Sequence, residues 1–176
     1  MKRESKFYTI IKNSCDESGA FYHKIPDTFP SNGEGVRFTT KKPFDLIVVY
    51  TEKALFIEVK YSKELKAFSV QKNLSEHQNE NLQIILNNSD KEKYFIRPVV
   101  VLGIYRPREI KRIYIFDYEW LKKNPQKKKD IESIELFIDV KSKKMSDGKR
   151  KDCFDIGMFY DKIIKGSVNN EDRNET

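Results

Sequence analysis

The chain has 176 residues, with 34 Lys and Arg against 27 Asp and Glu, a formal net charge of +7. That length suits one domain plus a tail, large enough to bury a core without disulfide staples. Hydrophobic residues make up 38% and charged residues 35%, but 12 Phe and 9 Tyr supply bulky core material, which excludes wholesale disorder.

Other classes drop out as quickly. No apolar run approaches the ~20 residues of a membrane helix. Residues 1–12 carry charge without the apolar stretch or cleavage site of a signal peptide. Two cysteines, Cys15 and Cys153, and two histidines, His23 and His77, exclude a disulfide scaffold and a four-cysteine zinc site. The expected setting is a reduced cytoplasm, in a bacterial, archaeal or phage-infected cell. The positive balance permits a nucleic-acid partner through phosphate contacts, although many solvated surfaces are equally basic.

In chain order, residues 4–13 read as a short helix, with Phe7, Ile10 and Ile11 at helical spacing, broken by Ser18-Gly19. Residues 21–25 form a short strand, 26–35 a loop, and 37–40 an extended segment. Residues 44–50 are the strongest strand. Residues 51–53 turn it into a second strand at 54–61, making a hairpin. A polar connection follows at 62–73. Ser75 then stands as an N-cap with Gln78 three residues later, the capping-box spacing, so a helix runs over 76–87 with Leu82, Ile85 and Leu86 on its apolar face. Residues 94–105 are a strand region broken by Pro98, 111–116 another strand, and 118–123 a short helix. Residues 132–140 read as a strand, 141–151 as a basic, flexible stretch and 154–164 as a last helix. The chain thus divides into one domain over 1–165, with its core at 1–123, and a flexible tail at 166–176. Helix, strands, helix, strands, helix is the order of an α/β fold with a mixed central sheet flanked by helices.

Three charged residues interrupt the apolar hairpin. Asp45 opens the first strand. Glu58 and Lys60 share one face of the second, because strand side chains alternate with period two. Unpaired burial costs several kcal/mol, so these groups must pair or bind something. With an even-numbered loop, Asp45 lies opposite Glu58, their Cβ atoms about 5 Å apart. With an odd loop, Asp45 faces the other way. Paired carboxylates raise one pKa unless a cation sits between them, and hard oxygen ligands suit Mg²⁺, Mn²⁺ or Ca²⁺. Lys60 reaches the same place and can orient water or stabilise phosphate charge. The purely structural alternative is a buried Glu58–Lys60 salt bridge with Asp45 as a cap at the strand start. Gln78 lies on the inward stripe of its helix with Leu82 and Ile85. It is either an active-site amide or only the capping partner of Ser75. His77 and Glu80 fall on other faces and read as solvated.

Asp45-x12-Glu58-x-Lys60 resembles the motif of the PD-(D/E)XK nuclease superfamily, and the flanking segments 44–48 and 56–60 look like the core of that restriction-endonuclease-like fold. The segment from Phe68 to Ser75-Glu76-His77-Gln78, and Ile113 to Phe116 followed by Tyr118 to Leu121, are similar to RecU-like and archaeal-type Holliday junction resolvases. There a serine-capped helix carries a His-Gln pair. The resemblance covers residues 1–123. It implies that Asp45, Glu58 and the main-chain carbonyl of Val59 hold Mg²⁺, with Mn²⁺ as a substitute, that Lys60 positions the attacking water, and that Gln78 assists. Family members often add an acidic residue from the first helix. Glu4 is the one in place, though a glutamate there also suits the helix dipole.

The residue before Asp45 is Phe44 rather than proline, and a literal Pro26-Asp27 upstream is followed by loop rather than strand. The implied activity is paired, metal-dependent cutting of four-way DNA junctions by a homodimer, since two symmetric cuts suit a twofold axis. The basic runs at Lys41-Lys42, Lys63, Lys66, 127–129, 141–144 and 149–151 would hold backbone phosphates. The rivals are another nuclease of the superfamily, acting on flaps, ends or restriction-type sites, and a non-catalytic basic DNA-binding module. An RNA-associated domain has no exposed aromatic stacking motif in its favour.

Overall fold

The computed structural model describes residues 3–26, 42–64, 66–89, 95–106, 109–127, 131, 137–145 and 147–168. Helices are α1 (Arg3–Ser18), α2 (Val70–Asn73), α3 (Glu76–Asn88), α4 (Tyr118–Lys123) and α5 (Ile156–Val168). Strands are β1 (Phe21–Lys24), β2 (Leu46–Tyr50), β3 (Lys53–Ser62), β4 (Phe95–Arg106), β5 (Glu109–Asp117), β6 (Phe137–Asp139), β7 (Lys141–Lys144) and β8 (Arg150–Cys153). The first six strands form one sheet in sequence order, antiparallel throughout except for the parallel β3–β4 pair. Antiparallel neighbours need only short turns. A parallel pair needs a crossover, and α2 and α3 supply it. The expected mixed α/β architecture, a central sheet flanked by helices, is what the chain adopts.

Strand alternation divides the core in two. Odd-numbered residues of β3, β4 and β5, such as Ile57, Val99 and Ile115, pack with α1 and α5. Even-numbered residues of β4 and β5, such as Val100 and Phe116, pack with α2, α3 and α4. Glu58 and Lys60 belong to the second face by the same parity. Tyr118 fixes the start of α3 on that face, its hydroxyl donating to the Asn79 carbonyl at 3.1 Å. On the first face, Gly103 of β4 leaves room for Phe7 of α1, whose ring lies 3.0 Å from where a Cβ would stand.

The structure corrects several expected boundaries. Helix α1 runs on to Ser18 because Cys15 is fully buried, and the Ser14 and Ser18 hydroxyls fold back onto the Ile10 and Ser14 carbonyls. Gly19, at φ 71°, then ends it. β2 starts at Leu46, two residues after Phe44. Pro98 does not break β4, since pairing with β5 begins only at Val99, so proline sits where the strand has a single neighbour. The 62–73 connection contains α2, capped by the Ser69 hydroxyl, and a two-way main-chain bridge between Phe68 and Gln126. Of the strand expected at 132–140, only β6 is found among the described residues. The stretch 141–151, expected to be flexible, is the β7–β8 hairpin. Helix α5 reaches Val168, past the expected end at 164, and into the segment assigned to a tail. The extended segment at 37–40, Asp27 and the tail from 169 lie outside the described residues. Among the described residues no helix is long and apolar enough to cross a membrane.

Candidate active site

The β2–β3 turn decides where the charged residues meet. Tyr50 pairs with Lys53, leaving the two-residue loop Thr51-Glu52, and both loop residues lie in the left-handed region at φ 43° and 27°. That is the backbone of a tight two-residue hairpin. The loop is therefore even, and the ladder runs to Leu46–Ile57. One residue further, Asp45 stands at the level of Glu58. There the main chain leaves the regular ladder. The Asp45 N–H donates to the Ile57 carbonyl at 3.0 Å, and its carboxylate Oδ2 accepts the Val59 N–H at 2.7 Å. Asp45 thus caps the strand start, and its other oxygen, Oδ1, takes an ion pair from Lys42 Nζ at 2.6 Å.

Glu58 is 2% exposed and Asp45 4%. Lys60 Nζ lies 3.1 Å from Glu58 Oε1. Gln78 completes the cluster from α3. Its Oε1 accepts from Lys60 Nζ at 2.8 Å and from the Ser75 N–H at 3.0 Å, while Nε2 donates to Glu58 Oε1. The amide orientation is forced, because two donors meet one end and a carboxylate oxygen meets the other. Gln78 is therefore more than a capping partner in its contacts. Ser75 and Gln78 form the reciprocal capping box, and the same side chain reaches the charged pair.

One atom of this network is unsatisfied. Glu58 Oε2 is buried with no hydrogen-bond partner. Burial first, then the nearby Asp45 charge, push the Glu58 carboxyl up to about 7, against the pull of Lys60 and Lys42. A buried carboxylate oxygen left without a donor, beside a second carboxylate, is what a hard cation would complete. Among the described residues no three His, Cys, Asp or Glu side chains cluster as a metal cage. A cation here would draw its remaining ligands from main-chain carbonyls, water or substrate. Mg²⁺ tolerates such a set, since it keeps several waters. Val59 is placed to offer a carbonyl. Its N–H points to Asp45, and the N–H and C=O of one strand residue share a side.

Asp45, Glu58, Lys60 and Gln78 are thus brought together. Glu4 lies in the first turn of α1, and its side chain is outside the described residues. The basic runs behave differently. Lys63 and Lys66 are exposed beyond β3, with Lys66 paired to Glu64 at 2.9 Å. The run at 141–151 lies on the β7–β8 hairpin, and β8 packs on α1, which covers the sheet face opposite Glu58. There Lys143 pairs with Glu17 and Lys151 with Asp147. Lys127 is exposed, and 128–129 lie outside the described residues. Glu80 is exposed as expected, but His77 is half-buried against Asn81. The sequence reads Lys42 only as part of a basic run; the structure adds its ion pair with Asp45, for which the i, i+3 spacing is the available signal.

No protein-family model and no curated protein matches the chain. Among solved structures it is similar to Hjc of Archaeoglobus fulgidus, a Holliday junction resolvase from an archaeal hyperthermophile, at 20% identity and a TM-score of 0.37. The similarity covers 64% of this chain and 75% of that one. A score that low decides neither family nor activity, and function has to be sought in the side chains.

Proposed function

We propose that this chain is a metal-dependent endonuclease that hydrolyses DNA phosphodiesters, with four-way junctions as its substrate and a homodimer as its working form. The observation that carries the nuclease reading is the buried Asp45–Glu58 pair, with Glu58 Oε2 unpartnered and Lys60 and Gln78 alongside. The junction and the dimer rest on the sequence resemblance, including the serine-capped helix with its His77-Gln78 pair.

Asp45, Glu58 and the Val59 carbonyl would hold Mg²⁺ or Mn²⁺. When bound, the cation supplies positive charge to the phosphate and makes a water acidic enough to attack. Lys60 holds its ammonium beside Glu58, where it orients the attacking water and offsets charge growing on phosphorus-bound oxygens. Gln78 fixes the Lys60–Glu58 geometry by bonding to both and by tying both to the α3 cap. Exposed lysines such as Lys63 and Lys66 beyond β3 hold backbone phosphates without reading sequence.

A second reading has its own support. Lys42 and Lys60 already oppose both carboxylates, as they would in a DNA-binding module that does not cut. Cleavage of a labelled four-way junction, beside a flap and a linear duplex, separates the two. Paired Mg²⁺-dependent cuts in the junction that vanish in Glu58→Ala are expected. Cuts in every substrate would remove the junction preference. Binding without cleavage in Mg²⁺ or Mn²⁺ would establish the binding module.

A further inference from the structure

We propose that Lys42 is a built-in competitor for the divalent cation, holding Asp45 in the metal-free protein and giving up that carboxylate when the cation binds. This rests on the metal site proposed above and assigns to it a residue outside the motif.

Three observations carry it. The Asp45 carboxylate is 4% exposed, so it has almost no access to water. Both its oxygens are engaged, Oδ2 by the Val59 N–H at 2.7 Å and Oδ1 by Lys42 Nζ at 2.6 Å. The two engagements differ in kind. The Val59 bond is part of how β3 holds the start of β2 and cannot be given up without loosening the hairpin. The Lys42 bond is made by a flexible four-carbon side chain outside the sheet. That side chain keeps 20% of its surface exposed, against 5% for the Asp45 side chain. Oδ1 is therefore the oxygen Asp45 can offer a cation, and Lys42 is what now occupies it.

Charge balance points the same way. With Glu58 ionised, Asp45 and Glu58 are opposed by Lys42 and Lys60, and the metal-free cluster is neutral. A divalent ion added to it would leave two positive charges in excess within a buried site. Releasing Lys42 towards solvent lowers that excess near the metal.

The experiment is Mn²⁺ binding to the metal-free full chain, followed by the electron paramagnetic resonance of free Mn²⁺, in wild type, Lys42→Met and Lys42→Arg. The expected result is Mn²⁺ binding about tenfold or more tighter in Lys42→Met, with Lys42→Arg close to wild type because the competing charge is kept. Equal or weaker binding in Lys42→Met overturns the proposal, as does an absence of Mn²⁺ binding in all three. A measurement on the wild-type chain covers the case in which Lys42→Met does not fold. Acylation of Lys42 by acetic anhydride, relative to exposed Lys72, should speed up several-fold on adding Mg²⁺. An unchanged ratio overturns the competition. Junction cleavage by the wild type is scored separately, so Mg²⁺-dependent cutting with unaltered Mn²⁺ affinity in Lys42→Met would retain the nuclease and discard only the role of Lys42.

Discussion

The Asp45 carboxylate accepts the main-chain N–H of Val59 at 2.7 Å, supplying with a side chain the acceptor that a further residue of β2 would have supplied with its backbone. One residue is thereby both a strand cap and a candidate metal ligand, and the two roles respond differently to substitution. Asp45→Asn keeps an acceptor for Val59 and loses the charge. Asp45→Ala loses both and leaves a buried N–H unpaired, which costs about 1–3 kcal/mol. Urea denaturation should show Asp45→Ala clearly less stable than Asp45→Asn. Junction cleavage should fall at least about a hundredfold in both, as removing a metal ligand exceeds the cost of removing its supports. Equal stability of the two variants would remove the capping role.

Gln78 divides in a similar way. Gln78→Glu keeps the capping box, since glutamate is equally suited to it, but cannot donate to Glu58 and adds a like charge beside it. Gln78→Ala loses cap and bridge together. The melting temperature should drop more in Gln78→Ala, whereas the pH at which cleavage reaches half its maximum should rise more in Gln78→Glu, which adds a like charge as well as losing the donor. A pH profile unmoved by Gln78→Glu would show that the Gln78–Glu58 bond has no part in the chemistry.

Glu58 makes stability depend on pH in a definite direction. Its carboxyl is raised from 4.5 to about 7 by burial and then by Asp45. The unfolded chain releases this proton near 4.5 and the folded chain only near 7, so folding takes up a proton between these values. The contribution to stability is fully present below 4.5 and is lost as pH rises through about 7, a loss on the order of 3 kcal/mol. Glu58→Gln removes the titration. Urea melts should find it more stable than wild type at pH 8 and not at pH 4. Mg²⁺ should stabilise the wild type at pH 8 and leave Glu58→Gln unchanged.

Gly103 is a packing test remote from the charged cluster. A methyl group there would stand 3.0 to 3.2 Å from three atoms of the fully buried Phe7 ring. Gly103→Ala should destabilise the protein by about 1–3 kcal/mol, with part of the loss recovered when Phe7→Leu is added. Cleavage per folded molecule should not change. Full stability in Gly103→Ala alone would mean that α1 shifts freely on the sheet.

How much of this was legible in the sequence follows from what each element relies on. The β2–β3 hairpin announced itself because its strands are apolar and its loop is short. The parity of that loop, which brings Asp45 to Glu58, is not set by hydrophobic pattern but by turn geometry, so periodicity could not supply it. α3 was legible from its cap. The β7–β8 hairpin was not. Lys141, Ser142, Lys143 and Lys144 are all exposed, so the strand is held by its main-chain ladder and by the buried Cys153 and Met145 rather than by alternation. α2 is a four-residue turn fixed by Ser69 and by the distant Phe68–Gln126 bridge, neither of which leaves a local period. The pairing of Lys42 with Asp45 was hidden for a related reason. A lysine beside another lysine reads as surface until a buried carboxylate is known to lie within its reach.

The parallel pairing of β3 with β4 also sets an order in time. Every side chain of the candidate site lies between Lys42 and Gln78, yet the strand that flanks Glu58 on its other side, opposite Val100, is made about forty residues after the hairpin. A ribosome releasing this chain would present Asp45, Glu58 and Lys60 on a two-stranded ribbon too small to stay folded alone. The Glu58 carboxylate would remain in water at its ordinary pKa until β4 docked. The burial that drives Glu58 up to about 7, and with it any preference for a cation, would then arise late and in a single step, when the central strand closes the sheet.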